Sequence, residues 1–197
     1  MKILDRKRLA LPLAVGLAVS AMSTVAMADE GLSYNYIDAV YVDSEIDDGL
    51  DIDGDGIAVA GSVAIGESTF LHAGYGTLEF DGGVDLDQWT VGFGAHAPIA
   101  DNVDIVGRLG YVDAKLDTPF GDADDDGYSV GIGLRGKLSE SFELEGGVSY
   151  VDLDDSGDDT SFNLGARYYL TENFALGAGV NLGDDVTTWN AGVRFQF

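Results

Sequence analysis

The stretch TWNAGVRFQF, residues 188–197, ends the chain and alternates without a break between two kinds of side chain. Trp189 and Val193 belong to the apolar set, whereas Arg194 belongs to the polar set. Successive side chains of a β-strand point to opposite faces. The stretch therefore predicts a strand with one apolar and one polar face.

The same alternation recurs upstream, interrupted by two kinds of break. Four breaks are short, near residues 66–69, 99–102, 138–141 and 170–173. Five breaks are acidic and vary in length, at residues 43–55, 81–87, 117–126, 152–159 and 183–185. These breaks predict ten strands in an all-β, antiparallel, up-and-down sheet. Eight strands is the alternative, and it requires one hairpin to form a plug or an extended loop.

Residues 1–28 have the three parts of a secretory signal peptide. A basic head (residues 2–8) precedes an apolar stretch (residues 9–22), and Ala26 and Ala28 form a small-x-small cleavage site. A membrane anchor is the alternative, but the apolar stretch is short for a span of about 20 residues. The sequence therefore predicts cleavage after residue 28 and a single domain over residues 29–197.

Charge and composition exclude two classes of protein. Without residues 1–28, the chain carries 6 basic and 34 acidic residues, a net charge of −28. Such a chain does not bind nucleic acid through its phosphates. Disorder requires low hydrophobicity, yet 46% of the residues are apolar. The chain has no cysteine, so disulfides do not stabilise it.

Two kinds of β-protein fit this alternation: a soluble sandwich with its apolar faces inward, and a membrane barrel with its apolar face in lipid. The predicted export signal favours the barrel. The terminal Phe197 resembles the C-terminal signal that the barrel-assembly machinery of bacterial outer membranes reads. We therefore expect a transmembrane β-barrel in the cell outer membrane, with its short turns and both termini in the periplasm and its acidic segments as extracellular loops.

Aromatic residues recur near the predicted strand ends, where a membrane barrel meets water. They predict an outer and a periplasmic girdle. The outer girdle comprises Tyr41, Tyr75, Trp89, Tyr111, Tyr128 and Tyr150. The periplasmic girdle comprises Phe70, Phe142, Phe174, Phe195 and the terminal Phe197. Three of the tyrosines begin a repeated Tyr-Val-Asp tripeptide, at residues 41–43, 111–113 and 150–152.

The strand parity places charged residues on the inward face, where they avoid lipid. A charge that faced lipid at the midplane would cost about 2–4 kcal/mol for Arg or Lys. The predicted lumen network is Asp38, Asp104, Arg108, Arg135, Lys137, Glu143, Glu145, Arg167 and Arg194. Paired charges that fill the lumen are the favoured interpretation, and a narrow charged pore is the alternative.

Four further residues are expected to form a polar ring in the lumen near the periplasmic mouth. Ser62, His72, His96 and Asp104 lie at inward positions if the intervening turns are regular. A serine, a histidine and a carboxylate together suggest a hydrolase or an acyltransferase. The sequence has no Gly-x-Ser-x-Gly elbow, and a hydrogen-bonded lumen explains the ring better.

Two acidic segments repeat the Asp-x-Asp-x-Asp-Gly spacing of calcium loops. One comprises Asp51, Asp53 and Asp55, and the other comprises Asp122, Asp124 and Asp126. Position twelve, which is Glu in a complete calcium loop, is Ser62 or Gly133 here. We therefore expect no tightly bound cofactor, only weak Ca²⁺ or Mg²⁺ binding that the anionic lipopolysaccharide and lipids of the outer membrane could share.

The residues around Tyr34, the Tyr-Val-Asp repeats and the terminal residues 194–197 resemble a known family. The chain is similar to small outer-membrane β-barrel proteins of the diffusible-signal-factor-regulated type, related broadly to opacity and OmpA-like barrels. The resemblance implies a non-enzymatic outer-membrane protein that can be shed in vesicles. The expected function is structural or surface-interacting: membrane integrity, adhesion or biofilm behaviour. A narrow passive channel is the alternative, and no surface partner is predicted.

Overall fold

The computed structural model describes residues 31–46 and 52–197, and these form ten strands. The predicted signal peptide and Asp51 lie outside the described residues. Among the described residues, no helix is long and apolar enough to cross a membrane. The strands are β1 (Tyr36–Ile46), β2 (Ile52–Ala64), β3 (Thr69–Phe80), β4 (Val84–Ala100), β5 (Val103–Thr118), β6 (Gly121–Ser139), β7 (Phe142–Leu153), β8 (Gly157–Tyr169), β9 (Phe174–Leu182) and β10 (Val186–Gln196).

Every strand pairs antiparallel with its neighbours in sequence, and β1 also pairs with β10, which closes the barrel. This last seam runs from Tyr36 opposite Gln196 to Ile46 opposite Val186. Closure leaves no strand edge with unpaired backbone groups, as a bilayer requires. The prediction of ten strands, and not eight, is confirmed. We call the end that holds both chain termini the periplasmic end, following the predicted orientation.

Most described residues of the four longer acidic segments belong to strands rather than to the loops that the sequence predicted, whereas residues 183–185 form a turn between β9 and β10. The turn between β3 and β4 is only residues 81–83, and the turn between β5 and β6 is residues 119–120. Asp and Gly are poor strand formers, which is why these segments read as loops. They pair here because the barrel continues beyond the membrane, where outward polar side chains face water.

The polarity of the two barrel faces reverses along the barrel axis. In the membrane part, apolar residues such as Ile57 and Leu164 point outward and are about 60% exposed in the isolated chain. Beyond the outer tyrosines, the outward residues are acidic and the inward residues form an apolar cluster that we call the apolar cap. The cap comprises Val42, Ile46, Ala58, Leu78, Phe80, Leu86, Val112, Ala114, Leu116, Val151, Leu153 and Val186.

The repeated Tyr-Val-Asp tripeptide encodes this reversal. In β5, Tyr111 points outward and is 42% exposed, Val112 is buried in the cap, and Asp113 points outward again. The tripeptides at residues 41–43 and 150–152 place their three side chains in the same way. Each repeat therefore marks the height at which the apolar face of its strand changes sides.

Candidate functional site: lumen network and acidic collar

A carboxylate at the periplasmic end of the lumen is the centre of the ion network. Glu143 accepts two hydrogen bonds from Arg135, both at 2.8 Å, and one from Arg167 at 3.1 Å. The Tyr169 hydroxyl donates a further hydrogen bond at 2.9 Å. The side chains of Glu143 and Arg135 are completely buried, so water does not screen this pair. Bidentate Arg–carboxylate geometry is the strong form of such a contact.

Two more arginines of the network are paired. Arg194 donates two hydrogen bonds to Asp38, at 2.7 and 2.6 Å, across the β1–β10 seam that closes the barrel. Its guanidinium lies 3.5 Å above the ring of Tyr36, within the range of a cation–π contact. Arg167 also donates to Glu145 at 2.5 Å. All nine predicted network residues lie on inward-facing positions of their strands.

The segment before β1 fills the periplasmic mouth of the barrel. The Arg135 guanidinium and the Lys137 ammonium donate to the backbone carbonyls of Ser33 and Gly31, at 2.9 and 3.0 Å. The Tyr34 hydroxyl donates to Asp104 at 2.9 Å, and its ring stacks on His96 with 3.7 Å between centroids. Residues 31–35 therefore form a periplasmic plug. The sequence reasoning missed it, because a segment outside the strands has no parity to read.

The four residues of the predicted polar ring do not form a ring: Ser62 and His72 lie in one place, and His96 and Asp104 in another. Ser62 lies opposite His72, as predicted, but its hydroxyl donates to the backbone carbonyl of Leu71 at 2.7 Å. His96 bonds Asp104 at 2.9 Å, and Phe70 lies between the two pairs.

The register of one hairpin explains the separation. The β3–β4 turn has three residues instead of the predicted seven, so His72 lies opposite Gly92 and not near His96. No serine–histidine–carboxylate triad forms among these four residues.

Between the plug and the cap, the lumen contains a polar chamber. Glycines such as Gly165 and Gly177 line one wall, and Asn163, Arg167 and Arg194 supply polar groups. The chamber is a cavity of about 60 Å³. By volume, that is room for roughly four to six water molecules.

The six residues predicted for the outer girdle lie near one level of the barrel wall. The side chains of its residues point outward, and three tyrosine hydroxyls donate to carboxylates directly above them. These bonds join Tyr75 to Asp87 (2.7 Å), Tyr111 to Asp126 (3.0 Å) and Tyr128 to Asp152 (2.9 Å). Trp189 also points outward in this belt. The predicted girdle did not include it, although the alternation of residues 188–197 already indicates its outward position.

The periplasmic girdle needs one correction. Phe142, Phe174, Phe195 and Phe197 lie outward, but Phe70 is completely buried in the lumen. Its ring stacks on Tyr34 of the plug, with centroids 5.0 Å apart. Phe70 shares the inward parity of His72, two residues on, and that parity was the signal against a girdle position.

Outward-facing acidic residues lie above the outer girdle on strands β1 to β8, and we call them the acidic collar. The described members are Asp43, Glu45, Asp53, Asp55, Glu79, Asp85, Asp87, Asp113, Asp117, Asp122, Asp124, Asp126, Asp152 and Asp158. Lys115 donates to Asp117 at 2.7 and 2.9 Å, and this hydrogen bond holds the pKa of Asp117 below its ordinary value.

The calcium-like motifs lie in this collar as strands, which corrects the loop geometry expected of them. Asp122, Asp124 and Asp126 follow one face of β6, and Asp53 and Asp55 follow one face of β2. Alternate residues of a strand lie about 7 Å apart, so their carboxylates do not converge on one ion as they do in a calcium loop.

The sequence of the chain matches a protein-family model over residues 12–169, and the model describes the outer membrane protein beta-barrel domain. The chain belongs to this family. This outer-membrane β-barrel protein is therefore placed in the cell outer membrane. No curated protein matches it.

Several solved structures resemble this outer-membrane barrel at low identity. A NanC porin structure has a TM-score of 0.49 and 9% identity, over 82% of this chain and 100% of the other. A KdgM porin in complex with disordered oligogalacturonate has a TM-score of 0.46 and 11% identity, over 83% and 98%. Neisserial surface protein A has a TM-score of 0.42 and 14% identity, over 82% and 96%. Likeness at this level says nothing about what a barrel binds or transports.

Proposed function

We propose that this outer-membrane barrel acts through its outer surface, as a structural protein of the lipopolysaccharide leaflet. In this proposal the acidic collar shares divalent cations with the phosphates of lipopolysaccharide and so ties the barrel to the lipids around it. The observation that carries the proposal is the pairing of like charges in the collar.

Carboxylates of the collar lie directly opposite one another on neighbouring strands. The pairs are Asp43 with Asp55, Glu45 with Asp53, Glu79 with Asp85, Asp85 with Asp117, Asp113 with Asp126, Asp117 with Asp122, and Asp152 with Asp158. Opposite side chains have Cβ atoms about 4.5–5.5 Å apart, and like charges there are destabilising. Hard divalent cations bind carboxylate oxygens, so cations between the pairs would relieve this repulsion.

Two features of the lumen support the same proposal, because both narrow a path for solutes. Val42, Leu78 and Leu116 of the apolar cap lie on strands from different sides of the barrel, and all are buried. Residues 31–35 fill the other mouth. A role that depends on solute flow would need both closures to open.

Unfolding of one charge-pair variant in two membranes tests the proposal. In phosphatidylcholine vesicles with EDTA, Asp53→Asn removes the repulsion from Glu45 and should stabilise the barrel by about 0.2–1 kcal/mol. In vesicles that contain lipopolysaccharide and Ca²⁺, the same change should destabilise it, because a cation ligand is lost. Asp154→Asn, at the exposed turn after β7, is the matched control and should not change sign. An Asp53→Asn effect of the same sign in both membranes would refute the proposal.

A narrow passive channel is the second candidate, favoured by the polar chamber in the middle of the lumen. Hydrophobic constrictions can gate a pore by dewetting, so the apolar cap would be its outer gate. Planar bilayers distinguish the two functions. We expect no stepwise conductance from the intact protein. Steps that change in size on Glu145→Gln would establish the channel instead.

A further inference from the structure

We infer that the lumen holds a small inorganic anion at Arg108, at the inward face of β5. This inference concerns the lumen and does not depend on the proposed role of the acidic collar. It rests on an unpaired guanidinium, on a neighbouring hydroxyl without a partner, and on a glycine directly opposite the guanidinium.

Arg108 is the one lumen arginine without a carboxylate partner in the part of the chain that the structure describes. Its Nε and Nη2 atoms are inaccessible to solvent and have no hydrogen-bond partner. Burying a polar group without a partner is costly, and burying an unpaired charge costs more. A bound anion would satisfy both the charge and the N–H donors.

The lumen carboxylates are already engaged by other groups. Asp38 binds Arg194, and Asp104 binds Tyr34 and His96. Glu145 acts on Arg108 electrostatically, but it is hydrogen-bonded to Arg167.

The hub carboxylate, Glu143, is shared by Arg135, Arg167 and Tyr169. Each of these four carboxylates is therefore hydrogen-bonded to a group other than Arg108.

One neighbour of Arg108 also lacks a partner. The Tyr36 hydroxyl is buried and makes no hydrogen bond, and Tyr36 interacts electrostatically with Arg108. A phenol O–H and a guanidinium can both donate. What this part of the lumen lacks is an acceptor, and an anion is the strongest acceptor available.

The space beside Arg108 limits the size of the anion. Gly131 lies directly opposite Arg108 on β6, and a Cβ atom added there would meet nothing closer than 3.7 Å. The glycine therefore places no side chain opposite the guanidinium. The periplasmic plug and the apolar cap close the lumen to large solutes, so the anion is of the size of chloride and enters during folding.

Bromide is the probe for the first experiment. The mature protein is refolded in bromide, crystallised, and measured at the bromine absorption edge. We expect an anomalous peak in the lumen within hydrogen-bond distance of the Arg108 guanidinium. An empty lumen, or a bromide peak elsewhere in the barrel, would overturn the inference.

Urea unfolding of the refolded protein gives the second test, in sodium chloride and in sodium gluconate of equal ionic strength. Chloride should stabilise the wild-type barrel in a saturable way, and gluconate should not. Arg108→Gln should weaken the apparent chloride affinity about tenfold or more, because it removes a charge-assisted donor. Lys137→Gln, which removes the same charge at the periplasmic mouth, should leave the affinity within about twofold.

Equal chloride affinity in the wild type and Arg108→Gln would show that the anion is not held by Arg108. If Arg108→Gln does not fold, Arg108→Lys keeps the charge and should retain part of the chloride effect, and the bromide position in the wild type decides the question alone. A lumen that holds only ordered water would show neither the peak nor the saturable effect.

Discussion

Replacing Glu143 by glutamine should destabilise the barrel more than any other single charge removal in the lumen. The change preserves the shape of the side chain and removes the negative charge that Arg135 and Arg167 share. Because Arg135 and Glu143 are completely buried, Arg135 gains no water as a substitute, whereas Arg167 keeps its bond to Glu145. Breaking a buried ion pair typically costs about 3–5 kcal/mol, and we expect Glu143→Gln to fall in that range.

Reversible urea unfolding in lipid vesicles measures this cost. The two tryptophans, Trp89 and Trp189, both lie in the outer girdle and report on loss of the lipid environment. For a urea dependence near 2 kcal/mol per molar, the midpoint should fall by roughly 2 M. Tyr169→Phe removes only one donor to Glu143 and should cost about 1.5–3 kcal/mol.

Glu140→Gln is the control, since Glu140 lies exposed in the turn before β7. It should change the free energy of unfolding by less than about 0.5 kcal/mol. If Glu143→Gln also lies within about 1 kcal/mol of the wild type, the lumen network does not stabilise the barrel as argued.

Three further outcomes follow from particular contacts. Gly192→Ala should prevent closure of the barrel and abolish its heat-modifiable gel mobility, because a Cβ at Gly192 would lie 2.1 Å from the Ala39 carbonyl oxygen. Gly61→Ala is the control: a Cβ there would lie 3.6 Å from its nearest atom, so this variant should fold normally. Deleting Phe197 should slow assembly, since its N–H donates to the Asn35 carbonyl at 3.1 Å and its ring lies on the lipid side. Normal assembly of the shortened chain would contradict the predicted role of Phe197 as the terminal signal. Calcium should bind the collar weakly and lose affinity as salt rises from 10 to about 150 mM; a tight, salt-independent site at Asp53 or Asp124 would contradict the strand geometry.

Most of the membrane part of the fold could be predicted from the sequence, because lipid and lumen impose a strict two-residue period. That period places Asp38 and Arg194 inward and Trp189 outward with no knowledge of the partner strands. It also places the two network residues of β7 on one face.

The register and the outer part of the barrel could not be predicted in the same way. The position of His96 depends on the length of one turn, and composition alone suggested a loop four residues longer than the true one. In the acidic segments, the inward Ile46, Leu116 and Leu153 were the available signal for strands. It was obscured because the apolar parity changes sides at each Tyr-Val-Asp repeat.

The reversal of polarity at the outer girdle fixes how deeply this barrel sits in its membrane. An outward shift would bring apolar residues such as Ile57 into water, and an inward shift would carry the carboxylates of Asp43 and Asp55 toward hydrocarbon. Hydrophobic mismatch alone costs only fractions of a kcal/mol per ångström, whereas ionised groups near hydrocarbon cost far more. The energy of displacement is therefore asymmetric. A bilayer that thickens around this protein must therefore thicken on the periplasmic side. The position of the barrel relative to the outer leaflet stays the same.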